Sequence, residues 1–247
     1  MSYGVFAQYY DALTKNVNYE EMADYLCALL EREGHKAGLT LDLACGTGSL
    51  TLALAKRGID VYGADASMEM LSVAQEKAAE EGRSLLFLCQ KMQTIDLYGT
   101  VDTVFCALDS INHLTREEDV RKTFRRVSLF LNPEGYFIFD LNTPYKRRCV
   151  LKDNAFLYDT ETVFCAWQNR LEEKTDRVEI TLDFFEKEGS CYYRSSERFY
   201  ERAYPLEQIS DWLEEAGLSV QAVYESGTFH SPSDTAERVT FAAKKRE

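Results

Sequence analysis

Residues 41–48 read Leu-Asp-Leu-Ala-Cys-Gly-Thr-Gly. An apolar run carrying a single carboxylate, Asp42, breaks into a loop almost bare of side chains. Residues 39–44 read as a short buried strand, and Ser49 to Arg57 as a helix that Gly58 ends. A strand that enters a glycine turn and then a helix is the layout of a ligand loop. Glycines let the main chain approach the ligand, and the first helical turn offers unpaired N–H groups.

Outward from the loop the same rhythm repeats. Ile59 to Gly63 reads as a second strand, and Ser67 caps a helix that runs to about Glu81, where Gly82 stops it. Residues 84–89 and 101–108 are apolar strands, Arg116 to Phe130 is an amphipathic helix, and residues 135–142 (GYFIFDLN) form an aromatic-rich strand. Ahead of the loop, residues 19–33 place Met22, Tyr25, Leu26, Leu29 and Leu30 on one helical face, after a shorter aromatic segment from Val5 to Leu13. Pro205 opens a last helix to Ala216, and strands at 218–225 and 236–243 close the chain. Alternating β and α segments predict an α/β fold with a mostly parallel sheet and helices on both faces. Residues 145–200 break the rhythm. They read as strands without helices, with EITLDF (179–184) alternating in the antiparallel manner and Glu188-Gly189-Ser190 suited to a hairpin. This stretch reads as an antiparallel insertion into a core made of residues 1–144 and 201–247.

The loop narrows the ligand. Gly46 and Gly48 match the first two glycines of G-x-G-x-x-G, but Thr51 stands where the third belongs, which counts against a pyrophosphate site. The G-x-x-x-x-G-K-[ST] phosphate loop is absent. Asp65 ends the second strand, where a carboxylate can accept both hydroxyls of a ribose. A dinucleotide and S-adenosylmethionine both fit that pair of features.

LDLACGTG followed by VYGAD resembles motifs I and II of the class I S-adenosylmethionine-dependent methyltransferases. FLCQKMQTIDL, DTVFCALDSINHL and LNPEGYFIFDLN resemble the later motifs in order, and the whole chain is similar to a group of small bacterial methyltransferases. The resemblance implies a Rossmann-like seven-stranded mostly parallel sheet with a reversed C-terminal strand pair, plus the inserted antiparallel β lid. It implies that Ala44, Cys45, Gly46, Thr47 and Gly48 line the methionine half of the cofactor and that Asp42 orients the loop and faces the cofactor's amino group. Asp65 would hold the ribose, with Ala66 and Met70 close to the adenosyl group. Met92 would cover the adenine and offer it an N–H, and Leu108 and Asp109 would lie beside the methionine portion. Tyr10 would close over the cofactor, with Tyr3, Phe6 and Tyr9 competing for that place. One position departs from the family. Where an acidic residue often accepts from the adenine amino group, this chain has Lys91, which only donates, leaving Gln90 and Gln93 as substitutes.

Methyl transfer from a sulfonium is an in-line displacement with an activated leaving group, so alignment and desolvation are the protein's main work. No general base is obligatory. His113, just after Asp109-Ser110, is the candidate, while His35 and His230 read as surface loop residues. Asn112, His113, Asn142, Trp167 and Tyr200 are the candidate acceptor contacts, the last two from the aromatic insertion. An aromatic lid with few basic residues favours a small-molecule acceptor. RNA or protein methylation and a non-catalytic cofactor-binding scaffold stay open as alternatives.

The formal net charge of −13 argues against a nucleic-acid partner, and the short basic runs Lys146-Arg147-Arg148 and Arg125-Arg126 read as solvated surface. Seven scattered cysteines, none paired as C-x-x-C and none at metal-ligand spacing, read as reduced, buried thiols of a cytoplasmic protein with no metal. The N-terminus lacks a signal-peptide pattern, and no apolar run reaches the ~20 residues of a membrane span. Monomer and homodimer are both compatible with this pattern.

Overall fold

The computed structural model describes residues 4–246. Two helices, α1 (Gly4–Leu13) and α2 (Tyr19–Arg32), precede the alternating units β1 (Leu39–Leu43), α3 (Ser49–Lys56), β2 (Asp60–Asp65), α4 (Met68–Glu80) and β3 (Phe87–Cys89). Then come β4 (Val101–Cys106), α5 (Glu117–Phe130) and β5 (Leu131–Asn142). These strands and the closing β10 (Leu218–Glu225) and β11 (Arg238–Lys245) form one seven-stranded sheet, ordered β10-β11-β5-β4-β1-β2-β3. Strands β3, β2, β1, β4 and β5 pair in parallel. The reversal at the C-terminal end is carried by β11, which runs against both β5 and β10.

The sheet is covered on both faces, which is why its central strands are apolar throughout. Gly135 to Asn142 of β5 are buried without interruption. Phe137, Phe139 and Leu141 face Phe124 of α5 and, with α6 (Leu206–Glu215), Trp212 and Leu213. Tyr136 and Ile138 of the same strand face Leu26, Leu29 and Leu30 of α2 and Leu54 of α3. The caps follow the expected chemistry: Ser67 accepts from the Met70 N–H at 3.2 Å, and Asn18 accepts from the Glu21 N–H at 3.2 Å. β3 is shorter than residues 84–89 because Ser84 to Leu86 lie outside the ladder.

A second sheet, β6 (Ala155–Asp159), β7 (Val163–Glu172), β8 (Arg177–Glu188) and β9 (Cys191–Arg202), is antiparallel throughout. Val178, Ile180, Leu182 and Phe184 alternate onto one buried face, where Phe6, Ala7 and Leu13 of α1 pack against them. The Phe6 N–H donates to Glu197 of β9 at 3.0 Å, and the Tyr9 hydroxyl to Glu186 of β8 at 2.9 Å. Helix α1 therefore lies between the second sheet and Met70 of α4.

Four sequence readings need correction. Arg147, read as surface, is 2% exposed, because a π-helical turn at Lys146–Leu151 turns it inward onto Glu201. Cys106 and Cys165 are buried, but Cys89 and Cys191, at strand ends, and Cys149, on the outer side of the π-helical turn, are exposed. His35 is half-buried, with Nε2 at 3.0 Å from Thr103 Oγ1 and its ring 4.8 Å from that of Tyr136. β6 was missed because its residues are mostly exposed and lack a buried-face alternation. Among the described residues no helix is long and apolar enough to cross a membrane.

Candidate active site

The chain leaves β1 toward β2 on one side and reaches β4 on the other, so the strand ends of β1 and β4 diverge. Such a switch point opens a crevice at the C-terminal ends of parallel strands. A cavity of about 280 Å³ lies there, lined by Ala44 and Gly46 after β1, Asp65 and Ala66 at the end of β2, and residues 90–93 after β3. Leu108, Ser110, His113 and Asp119 complete it from the β4 side, with Phe6, Tyr10 and Met70 above. A smaller cavity of about 40 Å³ shares Tyr10, Ala44, Gly46, Leu108 and Ser110 with it and continues to Asp42, Cys45, Thr47 and Tyr19.

The strand-end backbone is held in conformations that side chains disfavour. Ala44, Leu108 and Asp109 have φ of 61°, 56° and 50°. Left-handed non-glycine residues cost about 1–3 kcal/mol each and persist only where neighbours over-determine them. Here Asp140 of β5 does so: its carboxylate accepts from the Leu108 N–H at 3.1 Å and the Asp109 N–H at 2.5 Å. Asp65 does the same for the glycine loop, accepting from the Gly46 N–H at 2.9 Å and the Ser67 N–H at 2.8 Å. A Cβ placed on Gly46 meets nothing within 4 Å, so any side chain there would take up the open space of the cleft. Gly48 has a different reason. It does not line the cavity, and a Cβ on it would stand 2.8 Å from Ala74 Cβ.

Asp42 is buried, and the Thr51 hydroxyl donates to it at 2.6 Å. Its carboxyl therefore braces the first turn of α3. Burial pushes that carboxyl up to about 7, against the Thr51 hydrogen bond and with help from the nearby Asp65 charge. The folded state thus keeps a proton that an unfolded carboxyl, near 3.8, has released. Stability from this group is present below about pH 4, is lost as pH rises to about 7, and is level above. Asp42→Asn keeps the shape and the Thr51 contact without the titration. Its stability relative to wild type should rise across that window in urea unfolding at successive pH values; parallel pH curves would contradict this.

Several expected contacts are spent elsewhere. Asp109 does not line the cavity; it turns away to Arg238 at 2.6 Å and Asn142 at 2.6 Å. Asn112 is buried and fully used, accepting from the Asn142 N–H at 2.9 Å and donating to the carbonyls of Asn142 and Arg202. Asn142 donates to Asp109 and accepts from Arg238 at 3.3 Å. Trp167 donates to Asn169 at 2.8 Å, and the Tyr200 hydroxyl to Glu179 at 2.5 Å, both away from the cavity lining. These four are corrections to the acceptor set: each tie fixes an inserted or switch-point element in place. Of that set only His113 reaches the cavity. Its ring lies 5.4 Å from Phe199, with Nε2 3.5 Å from Glu201 Oε1, and burial holds the imidazole down, to about 4. Tyr10 lines both cavities from α1, while Tyr3 lies outside the described residues.

The sequence reading missed Asp140, Arg238, Arg147 and Glu201, which form the charged layer beneath the β4 loop. A lone carboxylate inside the apolar run GYFIFDLN was the one available signal, pointing to Asp140.

Residues 40–135 match the family model described as a methyltransferase domain. The protein named as methyltransferase YqeM of Bacillus subtilis (strain 168) is 35% identical over 99% of this chain and 98% of its own. A Geobacillus (strain WCH70) protein, also named as a methyltransferase, is 34% identical over 99% of this chain and all of its own. The chain belongs to the S-adenosylmethionine-dependent methyltransferases. Its structure superposes on that of an S-adenosylmethionine-dependent methyltransferase from Clostridium acetobutylicum with a TM-score of 0.89, at 33% identity and 99% coverage of both chains. The cofactor fits this methyltransferase's cleft chemically: bare main chain at Gly46, a carboxylate at Asp65, and apolar Ala66, Met70 and Met92 in the same lining.

Proposed function

We propose that this methyltransferase methylates a small amine admitted beneath α1 and the second sheet. The observation that carries the reading is His113, a neutral imidazole in the β4-side wall of the cavity, which also holds Ser110, Leu114, Thr115 and the carboxylate of Asp119, with Phe6 and Tyr10 from α1. Among the described residues the one cation lining the cavity is Lys91, in the segment after β3. An anionic acceptor would lack a cationic partner in the half of the cavity near His113 and would face the Asp119 carboxylate. The glycine/sarcosine N-methyltransferase of Halorhodospira halochloris, 36% identical over 119 residues, is named for methylation at nitrogen and supports nitrogen as the accepting atom.

In this reading Asp65 accepts from the ribose hydroxyls, and Ala44 to Thr47 pass along the methionine portion through main-chain atoms. Met92 covers the adenine, with Ala66 and Met70 packed nearby and Leu108 at the methionine portion. S-adenosylmethionine supplies a methyl group already activated by the positive charge on sulfur. Phe6 and Tyr10 exclude water from the reacting pair, which strengthens alignment. With a pKa of about 4, His113 stays unprotonated at neutral pH. It would orient the amine by a hydrogen bond and not store its proton. Residues 145–200 would act as the acceptor-side subdomain, clamping α1 over the cleft.

Labelled S-adenosylmethionine incubated with a metabolite extract should place label in a small, basic product. Label in RNA or protein, or in a carboxylate ester, would overturn the amine reading. His113→Asn should lower kcat about 10-fold, the worth of one hydrogen bond, with S-adenosylhomocysteine affinity by calorimetry unchanged.

A further inference from the structure

A purine amino group taken out of water needs an acceptor, and leaving it without one is costly. Among the side chains of residues 90–93, only the Gln93 carboxamide leaves a strong acceptor unspent toward the cavity. The Lys91 ammonium has no acceptor atom. The Gln90 carboxamide is consumed at both ends, accepting from the Asp96 N–H at 2.6 Å and donating to the Asp96 carbonyl at 3.0 Å. Among the described residues two carboxylates line the cavity, Asp65 and Asp119. Asp65 already anchors two loop N–H groups at the end of β2. Asp119 sits in the first turn of α5, the helix that packs against the 3-10 turn Met92–Thr94. Its side chain is 21% exposed, and its nearest ion-pair partner, Arg116 Nε, is 3.9 Å away.

We propose that Asp119 accepts a hydrogen bond from the cofactor's exocyclic adenine amino group, so that this chain reads adenine from α5 and not from the residue before Met92. The inference rests on the adenine lying along residues 90–93, as in the reading above. Asp119 can do this because it lines the cavity with, among the described residues, no ion-pair partner closer than Arg116, and a carboxylate's two oxygens are acceptors. Gln93 lines the same wall, but its carboxamide can turn over and serve an amino or an oxo group alike. A carboxylate cannot. It rewards an amino group and repels an oxo group, so the identity of the acceptor sets purine selectivity.

The test is calorimetric binding of S-adenosylhomocysteine and of S-inosylhomocysteine, which carries an oxo group in place of the amino group. Wild type should prefer the adenine compound by roughly 10- to 100-fold. Asp119→Asn should reduce that preference to about threefold or less, chiefly by weakening the adenine compound. Gln93→Ala should keep the preference. Retention of the preference in Asp119→Asn, its loss in Gln93→Ala alone, or its absence from wild type that binds both compounds would each overturn the proposal. Wild type that binds neither would overturn the cofactor-site reading and this inference with it, a result distinct from the other three.

Discussion

Asp65→Ala is expected to lower S-adenosylhomocysteine affinity on the order of 100-fold in calorimetry. The carboxylate has two tasks at one place. It lines the cavity, and its two oxygens accept from the Gly46 and Ser67 N–H groups at 2.9 and 2.8 Å. Burial pushes its pKa up, and the backbone donors Ser67, Gly46 and Ala66 oppose this and favour the ionised form. Hydrogen bonds to a charged group are worth about 1.5–3 kcal/mol, and each ~1.4 kcal/mol is tenfold in affinity. Loss of the two ribose contacts proposed for Asp65 would suffice for the expected effect, before any relaxation of the loop. Asp65→Asn should fall short of wild type as well, because its NH2 must face a ribose hydroxyl or one of the two backbone donors. Affinity within threefold of wild type in the alanine variant would remove Asp65 from the site.

Glu201→Ala is expected to destabilise the fold by about 3–5 kcal/mol in urea unfolding. Glu201 on β9 and Arg147 on the π-helical turn are paired with side chains 6% and 3% exposed. Removing the carboxylate leaves a buried guanidinium whose remaining carboxylate contact is Asp109, at 3.5 Å. Burial already holds the arginine down, to about 10, which reports how much desolvation the pair must offset. The cost should come from the stranded charge and not from the pair's own attraction. Arg147→Met with Glu201→Leu, which replaces both charges by apolar side chains, should recover most of the loss. A single variant that loses less than about 1 kcal/mol, or a double variant no better than the single, would contradict this account.

The alternating core was legible because its signals are local. Periodicity, a glycine or proline at each stop and a capping residue at each start are read within a few positions, as Ser67 and Gly217 illustrate. The cavity-lining residues of the glycine loop and of β2 were legible for the same reason, since they follow one strand end by a fixed offset. The contacts that were misplaced come from segments far apart in sequence. Asn112, Asn142 and Arg238 meet only because β5 lies beside β4 and β11 beside β5. Trp167 and Tyr200 looked like acceptor contacts by composition, but strand alternation and cross-strand register decided where they stand, and both bond within their own sheet.

The amino-acid sequence by itself determined the α/β class, the strand-end position of the glycine loop and the carboxylate of β2, because each depends on interactions spanning a few residues. Tertiary structure decided which side chains face the cleft and which are spent holding it. Asp109, Asp140, Arg147, Glu201 and Arg238 are all charged, and in sequence nothing separates a ligand from a brace. Only the packing of β5, β9 and β11 under the β4 loop supplies the partners that satisfy them, and a buried charge once paired is no longer available to a substrate.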